Sequence, residues 1–581
     1  MAVTGAATTG AAATATAAER RQSSRRPGWT VLTRWGVAVA VASALVLGVV
    51  MRVWYLVHDP INSDQALIGI TARQILAGHL HAFLPGLHYE AVEPYLVAAV
   101  FRLFGASPLT LEVPVLVCDV VACVLVWRIA LRLSHRGDVA AICAAAMWAA
   151  PQGAVWNSTM EYGFRGVTLL CGTGMVLLAL RLSQGSSRPW DAPLLGALFG
   201  VGWWSSPEIV YFALPSAIWT AAWLWRGRHD PPVLARRAAA AAGGLLAAGV
   251  GALPWLWDNV TSGFPSLKLS SFDAPGAVPP YRARLVDVFH GAVPTVLDLR
   301  VPRSGAWDVP AGLGMVALVV LGGAIVAAAA WQLWRRGDGS AVAAGVVAYP
   351  FVLAAAPSSV AWQSARYTNF LVPLLALLAA AVLGDAAANR HPGVHHRPRA
   401  GGAAPAVAAV AAVVLAGVVA TSMVAFGDLQ AINVLPGSRL GTSPNQPARR
   451  LAAGLERAGV RGGYADYWIA YKLDFLTAGR LELTDAPPSP DRLPAVTRAV
   501  RALPARRQAW LFLAPSPTAR TEYADTPVIQ GPSGLPLSVF ESDLKGMGVT
   551  YRVRRIAGAV AVVCGRPVTP ADLGMRAPTT P

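Results

Sequence analysis

Asp64 lies in "INSDQALIGITARQ", residues 61–74, a few positions after the first long apolar run of the chain. The following residues place Ala66, Ile70 and Ile75 near one side of a helix and Arg73 and Gln74 on others, as expected of an amphipathic helix at a membrane surface. An acid at the head of such a helix can cap free backbone N–H groups and complement the helix dipole. It can also take a proton from a nearby hydroxyl as a general base. The two roles are compatible.

Glu161 stands in "WNSTMEYGFRG", a short turn between two apolar runs, with Arg165 four residues on. Such a pair can form an i,i+4 ion pair of about 0.2–0.5 kcal/mol. A tight turn can equally bring Glu161 to the membrane face that carries Asp64. Two carboxylates on one cavity can share a divalent cation, Mg or Mn, or divide base and orienting roles. Asp64 and Glu161 are therefore the candidate catalytic residues and the candidate metal ligands.

"GHLHAFLPGLHYEAVEPY" gathers His79, His81, His88, Glu90 and Glu93 in one outer loop. Histidine with carboxylate can bind a transition metal, but the spacing matches no HExxH zinc pattern. Glu93, before Pro94, and His88 are candidate substrate contacts. In "SARYTNFLVPLLALLAA", Arg366 and Tyr367 stand at the outer end of an apolar run. An arginine there can fork onto phosphate oxygens or snorkel to the surface. Arg165 completes the candidate substrate-binding set. The long Pro-rich connection 258–308 mixes acids and arginines and has the length of a functional lid.

The elements that must position these residues follow from composition. Of 581 residues, 55% are apolar and 14% charged, against roughly 25% charged in a soluble domain. The chain reads as a polytopic α-helical membrane protein with about eleven spans, at roughly 35–57, 108–131, 138–156, 165–182, 192–206, 208–225, 238–257, 309–334, 341–357, 367–386 and 403–425. Residues 93–105 are too few to cross and read as a helix lying at the interface.

The net charge of +17 is almost wholly arginine, since only Lys268, Lys472 and Lys545 are lysines. The arginines sit in alternate short connections. This is the positive-inside pattern rather than a nucleic-acid surface, and it puts the N-terminus in the cytoplasm. Connections 58–107 and 258–308 then face outward, and Asp64 with them. Four of the five cysteines lie in apolar runs. No GK[ST] loop is present, and no charge falls mid-span in the manner of an ion relay.

Three regions result. Residues 1–34 form a disordered cytoplasmic tail, 35–425 a transmembrane domain, and 426–581 a soluble α/β domain on the extracytoplasmic side. Within the last, "GGYADYWIAYKLDF" clusters Tyr464, Asp466, Tyr467 and Trp468, a pattern suited to a domain core or to gripping a sugar polymer or peptide.

An N-terminal span, an outer acid at the head of an interfacial helix, "LHYEAVEPYLVAAVFRLFG", a span opening "SPLTLEVPVLV", and "RYTNFLVPLLALL" together resemble the GT-C membrane glycosyltransferases. The resemblance is to glycosyltransferase family 39, the protein mannosyltransferase-like and RgtA/B/C/D-like branch. It implies a sugar donor carried on a polyprenyl phosphate, transferred outside the membrane to a glycan, lipid or protein acceptor, with Asp64 matching the loop acid. This chain reads Asp64-Gln65 where many relatives have two acids, and "VEPY" where the lipid A aminoarabinose transferase type has Lys-Pro-Pro. The rival classes are a non-catalytic envelope-assembly protein and a lipid or solute transporter on the same scaffold.

Overall fold

The computed structural model describes residues 27–85, 92–264, 266, 279–302, 305–356, 365–388, 403–431, 445–489, 491–513 and 531–575. The side chains of 27–33, 403–405 and 428–431 are outside that description. His88, Glu90, Arg303 and most of the N-terminal tail fall outside the described residues.

The first part of the chain is helical: α1 (Pro27–His58), α2 (Ser63–Leu76), α3 (Glu93–Phe104), α4 (Pro108–Ser134), α5 (Gly137–Ala149), α6 (Gln152–Asn157), α7 (Arg165–Ser183), α8 (Asp191–Ser205), α9 (Val210–Arg226), α10 (Pro231–Gly251) and α11 (Leu253–Ser262). After these come α12 (Tyr281–Asp287), a π turn (Val288–Ala292), α13 (Val293–Val296), α14 (Ala311–Arg335), α15 (Gly339–Ala355), α16 (Leu371–Ala387) and α17 (Ala403–Ala431).

Among the described residues, six helices are long and apolar enough to cross a membrane, and three shorter apolar ones accompany them. The run expected at 138–156 divides into α5 and α6, because Pro151 cannot continue the backbone ladder. The connection 258–308 contains helix at 281–296 rather than only loop. α7 is almost wholly buried, while α10 and α14 turn valines and leucines outward, as lipid-facing helices do.

Small residues set the closest helix contact. A Cβ on Gly196 or Gly200 of α8 would overlap the carbonyl oxygens of Gly244 and Ala248 on α10, so the two backbones touch directly.

Charge is also buried between spans. Asp119 of α4 accepts from Arg52 of α1 at 2.9 Å on Oδ2 and faces Arg165 of α7 at 3.5 Å on Oδ1. All three are at most 4% exposed. Arg52 and Asp119 do lie within spans, and they offset each other's desolvation as a pair; Arg52 also donates to the Gly48 and Trp148 carbonyls.

The C-terminal part comprises α18 (Gln446–Arg457), β1 (Gly462–Tyr464), α19 (Tyr467–Thr477), β2 (Glu482–Thr484), α20 (Pro494–Ala502), β3 (Gln508–Leu513), α21 (Leu537–Gly546), β4 (Tyr551–Ile556) and β5 (Ala559–Cys564). The sheet order is β2-β1-β3-β5-β4, with β1 parallel to β2 and β3, and β5 antiparallel to β3 and β4. The chain leaves β1 for β2 on one side and returns to β3 on the other. The carboxyl end of β1 is thus a topological switch point, where α/β sheets open a crevice. α19 starts there.

α19 packs on α2. Ile61, Ala66, Ile70, Phe101 and Leu111 share one buried cluster with Tyr471, Phe475 and Leu493. Gly69 is the point of closest approach, since a Cβ there would overlap the Phe475 ring.

Replacing Gly196 with valine should force α8 and α10 apart and cost about 1–3 kcal/mol. The apparent melting temperature in detergent should fall. Gly249→Ala, which enters open space on α10, should leave it unchanged.

Candidate functional site

α2 begins at a capping box. Asn62 Oδ1 accepts from Gln65 N at 3.0 Å, and Gln65 Oε1 accepts from Asn62 N at 2.7 Å. Asn62 and not Asp64 is therefore the N-cap, which corrects one reading of the sequence. Asp64 sits in the first turn, its side chain not used for capping and about one-fifth exposed.

That carboxylate is held from two distant parts of the chain. Arg366 Nη1 donates to Oδ2 at 3.0 Å. The Tyr467 hydroxyl donates to Oδ1 at 2.6 Å. A charged donor on one oxygen and a phenol on the other fix the orientation of the carboxylate.

Arg366 is placed by the turn before α16. Tyr349 donates its hydroxyl to Tyr367 O at 2.8 Å, Thr368 Oγ1 donates to Ala365 O, and Asn369 Nδ2 donates to Gly153 O at 3.1 Å. The Tyr367 ring stacks on Phe164 at 5.5 Å between centroids. Tyr367 is thus the packing anchor of the turn, while the guanidinium lies 5.1 Å from the rings of Tyr162 and Tyr367 alike.

The turn carrying Glu161 therefore reaches this place, but through Tyr162. Glu161 itself is fully buried. Its Oε1 accepts from Gly163 N at 3.0 Å, and its own N–H donates to Glu112 Oε2 at 2.6 Å. Glu112 in turn accepts from Gln65 Nε2 at 2.6 Å. Gln65, the neutral neighbour of Asp64, thereby links α2 to the Glu161 turn.

Glu93 is also fully buried and accepts from Val167 N at 2.7 Å. Burial first, then the neighbouring Glu93, then Glu112, push the Glu161 carboxyl well above the ordinary range. The second oxygens of Glu93 and Glu161 receive no N–H donor.

This arrangement does not fit the expected divalent cation. Asp64 already faces a guanidinium, and Glu161 faces another acid. Among the described residues, no three His, Cys, Asp or Glu side chains come together as a ligand set. Glu93 packs against the start of α7 rather than beside Asp64. Arg165 faces Asp119 and the Ala154 carbonyl rather than forming the expected pair with Glu161. Between α2 and α3, His81 is fixed through its backbone, which exchanges two hydrogen bonds with the Tyr95 hydroxyl.

Two residues of the site were not singled out for chemistry from sequence. Tyr467 read as part of an aromatic cluster. Glu208 lies in the turn Pro207–Ile209 between α8 and α9, within electrostatic reach of Arg366. Its only signal was an acid after proline at the break in "WWSSPEIVYF". Burial pushes its carboxyl up to about 7, against the pull of its own N–H and of Arg366.

A carboxyl whose folded pKa exceeds its unfolded value near 4.5 binds more protons when folded, so its contribution to stability declines as pH rises from about 4.5 to about 7. Glu208→Gln should flatten the fall of stability over that window by up to one proton, measured as melting temperature against pH.

Residues 91–257 match the family model described as dolichyl-phosphate-mannose-protein mannosyltransferase. The structure resembles the crystal structure of ArnT from Cupriavidus metallidurans in the apo state, at 13% identity and a TM-score of 0.52, over 92% of this chain and 98% of that one. The same protein bound to undecaprenyl phosphate gives 13% identity and a TM-score of 0.53, over 91% and 98%. Comparison with curated protein sequences returns no match. The apolar helices make the chain a multi-pass membrane protein. The chain thus has a fold like that of ArnT, and its residues 91–257 resemble the dolichyl-phosphate-mannose-protein mannosyltransferase family.

Proposed function

We propose that this chain moves a sugar from a polyprenyl-phosphate donor to an extracytoplasmic acceptor, with Asp64 as the general base. One observation supports this most: a partly exposed carboxylate, not used for capping, is held by an arginine and a phenol from two other parts of the chain. The undecaprenyl phosphate in the similar ArnT structure, and the dolichyl-phosphate-mannose named in the matched family, support the donor class.

In the proposed step the acceptor hydroxyl oxygen attacks the anomeric carbon, and the bond from that carbon to the phosphate oxygen breaks. The hydroxyl proton passes to Asp64, and the electron pair leaves with the lipid phosphate. Arg366 and Tyr467 hold one oxygen of Asp64 each, and so fix the carboxylate that receives the proton. Arg366 also supplies positive charge where the departing phosphate gains negative charge, a placement worth several kcal/mol when the donor is fixed in advance.

Glu161, Glu93 and Glu112 act behind the site. They hold the turn that sets Tyr162 against Arg366, and through Gln65 they fix the helix that carries the base. The acceptor, a glycan, lipid or protein, approaches from the side of the soluble domain, which with Asp64 faces outward while the N-terminus is cytoplasmic.

Membranes containing the protein should transfer label from a radiolabelled polyprenyl-phosphate sugar to an acceptor. Asp64→Asn should reduce that transfer by about 10²–10⁴-fold with normal insertion, because Asn62 still caps α2. Normal transfer by this variant would remove Asp64 as the base. Arg366→Met should lower kcat by about 10²–10³-fold. A non-catalytic assembly protein or a transporter would show no transfer in any of these samples.

A further inference from the structure

Tyr467 is the first residue of α19, just past the carboxyl end of β1 and at the switch point of the soluble sheet. Asp466 before it caps the helix by accepting from Trp468 N at 3.0 Å. The sheet therefore fixes both where α19 starts and where its first side chain points.

α19 is also fixed at its other end. Phe475 fills the notch left by Gly69, and its ring centroid lies 6.2 Å from that of Phe101. Arg73 lies 4.4 Å over the Phe475 ring and donates to its carbonyl oxygen at 2.9 Å. These contacts join the soluble domain to α2 and α3 as one buried cluster. A domain so joined is a fixed wall of the site.

We propose that Tyr467 is a positioning residue for Asp64, so that the soluble domain completes the active site of the transmembrane domain through one hydroxyl. The inference rests on the reading of Asp64 as the base. The phenol acts on the carboxylate and needs no contact with substrate. Burial and the neighbouring Asp64 charge both raise Tyr467 well above its ordinary range, which keeps the O–H present as a donor.

The charged and titratable groups around Asp64 are few. Arg366 faces it from the turn before α16 and Tyr467 from α19, with Arg492 and Tyr471 beyond Tyr467 and Glu208 beyond Arg366. Removing the phenol leaves Arg366 as the remaining donor shown on the carboxylate. A carboxylate that loses a hydrogen-bond donor becomes harder to ionise.

The test compares the full-length protein with Tyr467→Phe, which keeps the ring, and with Tyr471→Phe, a buried tyrosine of the same helix whose hydroxyl does not reach Asp64. Two readouts are taken. The first is the pH profile of sugar transfer. The second is carbodiimide modification of Asp64 against pH, quantified by mass spectrometry, which needs no turnover. Tyr467→Phe should move the acidic limb of the transfer profile, and the midpoint of Asp64 modification, up by about one pH unit. It should lower kcat about tenfold with KM within about twofold, since orientation rather than substrate binding is lost. Tyr471→Phe should move neither.

Transfer by Tyr467→Phe with unshifted limb and unchanged kcat would overturn the proposal. If the unsubstituted protein transfers no sugar, the glycosyltransferase reading falls. The modification midpoint then decides the role of Tyr467 alone: a shift in Tyr467→Phe supports it, and an unshifted midpoint overturns it.

Discussion

The structure is organised around one carboxylate that is held only by distant parts of the chain. Asp64 cannot be neutralised from its own helix, whose cap is already supplied by Asn62 and Gln65. Its partners come instead from Arg366, 302 residues away, and Tyr467, 403 residues away. A small charged group with two such remote donors requires that the turn before α16 and the C-terminal sheet both be held in place. Each is. The first is locked by Tyr349, Thr368 and Asn369. The second is locked by the Phe475 contact with Gly69 and by Arg73.

Behind this exposed acid lies a set of acids that never see water. Glu93, Glu112 and Glu161 are each at most 5% exposed, and their contacts are with backbone N–H groups, with Gln65 and with one another. Burial and its acidic neighbours push the Glu161 carboxyl well above the ordinary range. Their arrangement converts charge into hydrogen bonding and braces a turn rather than gripping a cation. The neutral amide of Gln65 is consistent with that: an amide can donate to Glu112, and a carboxylate could not.

A second buried charge group, Arg52, Asp119 and Arg165, ties α1, α4 and α7 together between spans. Removing one member would strand the others in an apolar interior, a far larger penalty than breaking a surface pair. Its role is to fix which helices meet. The site above it inherits that order, since α4 carries Glu112 and α7 follows the Glu161 turn.

Hydrophobic run length by itself determined that this chain is a multi-pass helical membrane protein, and the alternation after residue 425 announced a small α/β unit. Asp64 and Arg366 were legible as candidates because an acid at a helix start and an arginine at a span end are local patterns. Glu161 was legible as a residue but not as a buried one, since burial depends on which way a turn rolls. Neither Tyr467 nor Glu208 could be assigned, because a tyrosine after a strand and an acid after proline have many ordinary uses. Only tertiary structure decided that Asn62 caps α2, that Asp119 pairs across three spans, and that the C-terminal α/β unit reaches Asp64. The physical reason is range: periodicity and capping act over a few residues, whereas the partners of a buried or half-buried charge are chosen by whatever the whole fold brings within about 3 Å.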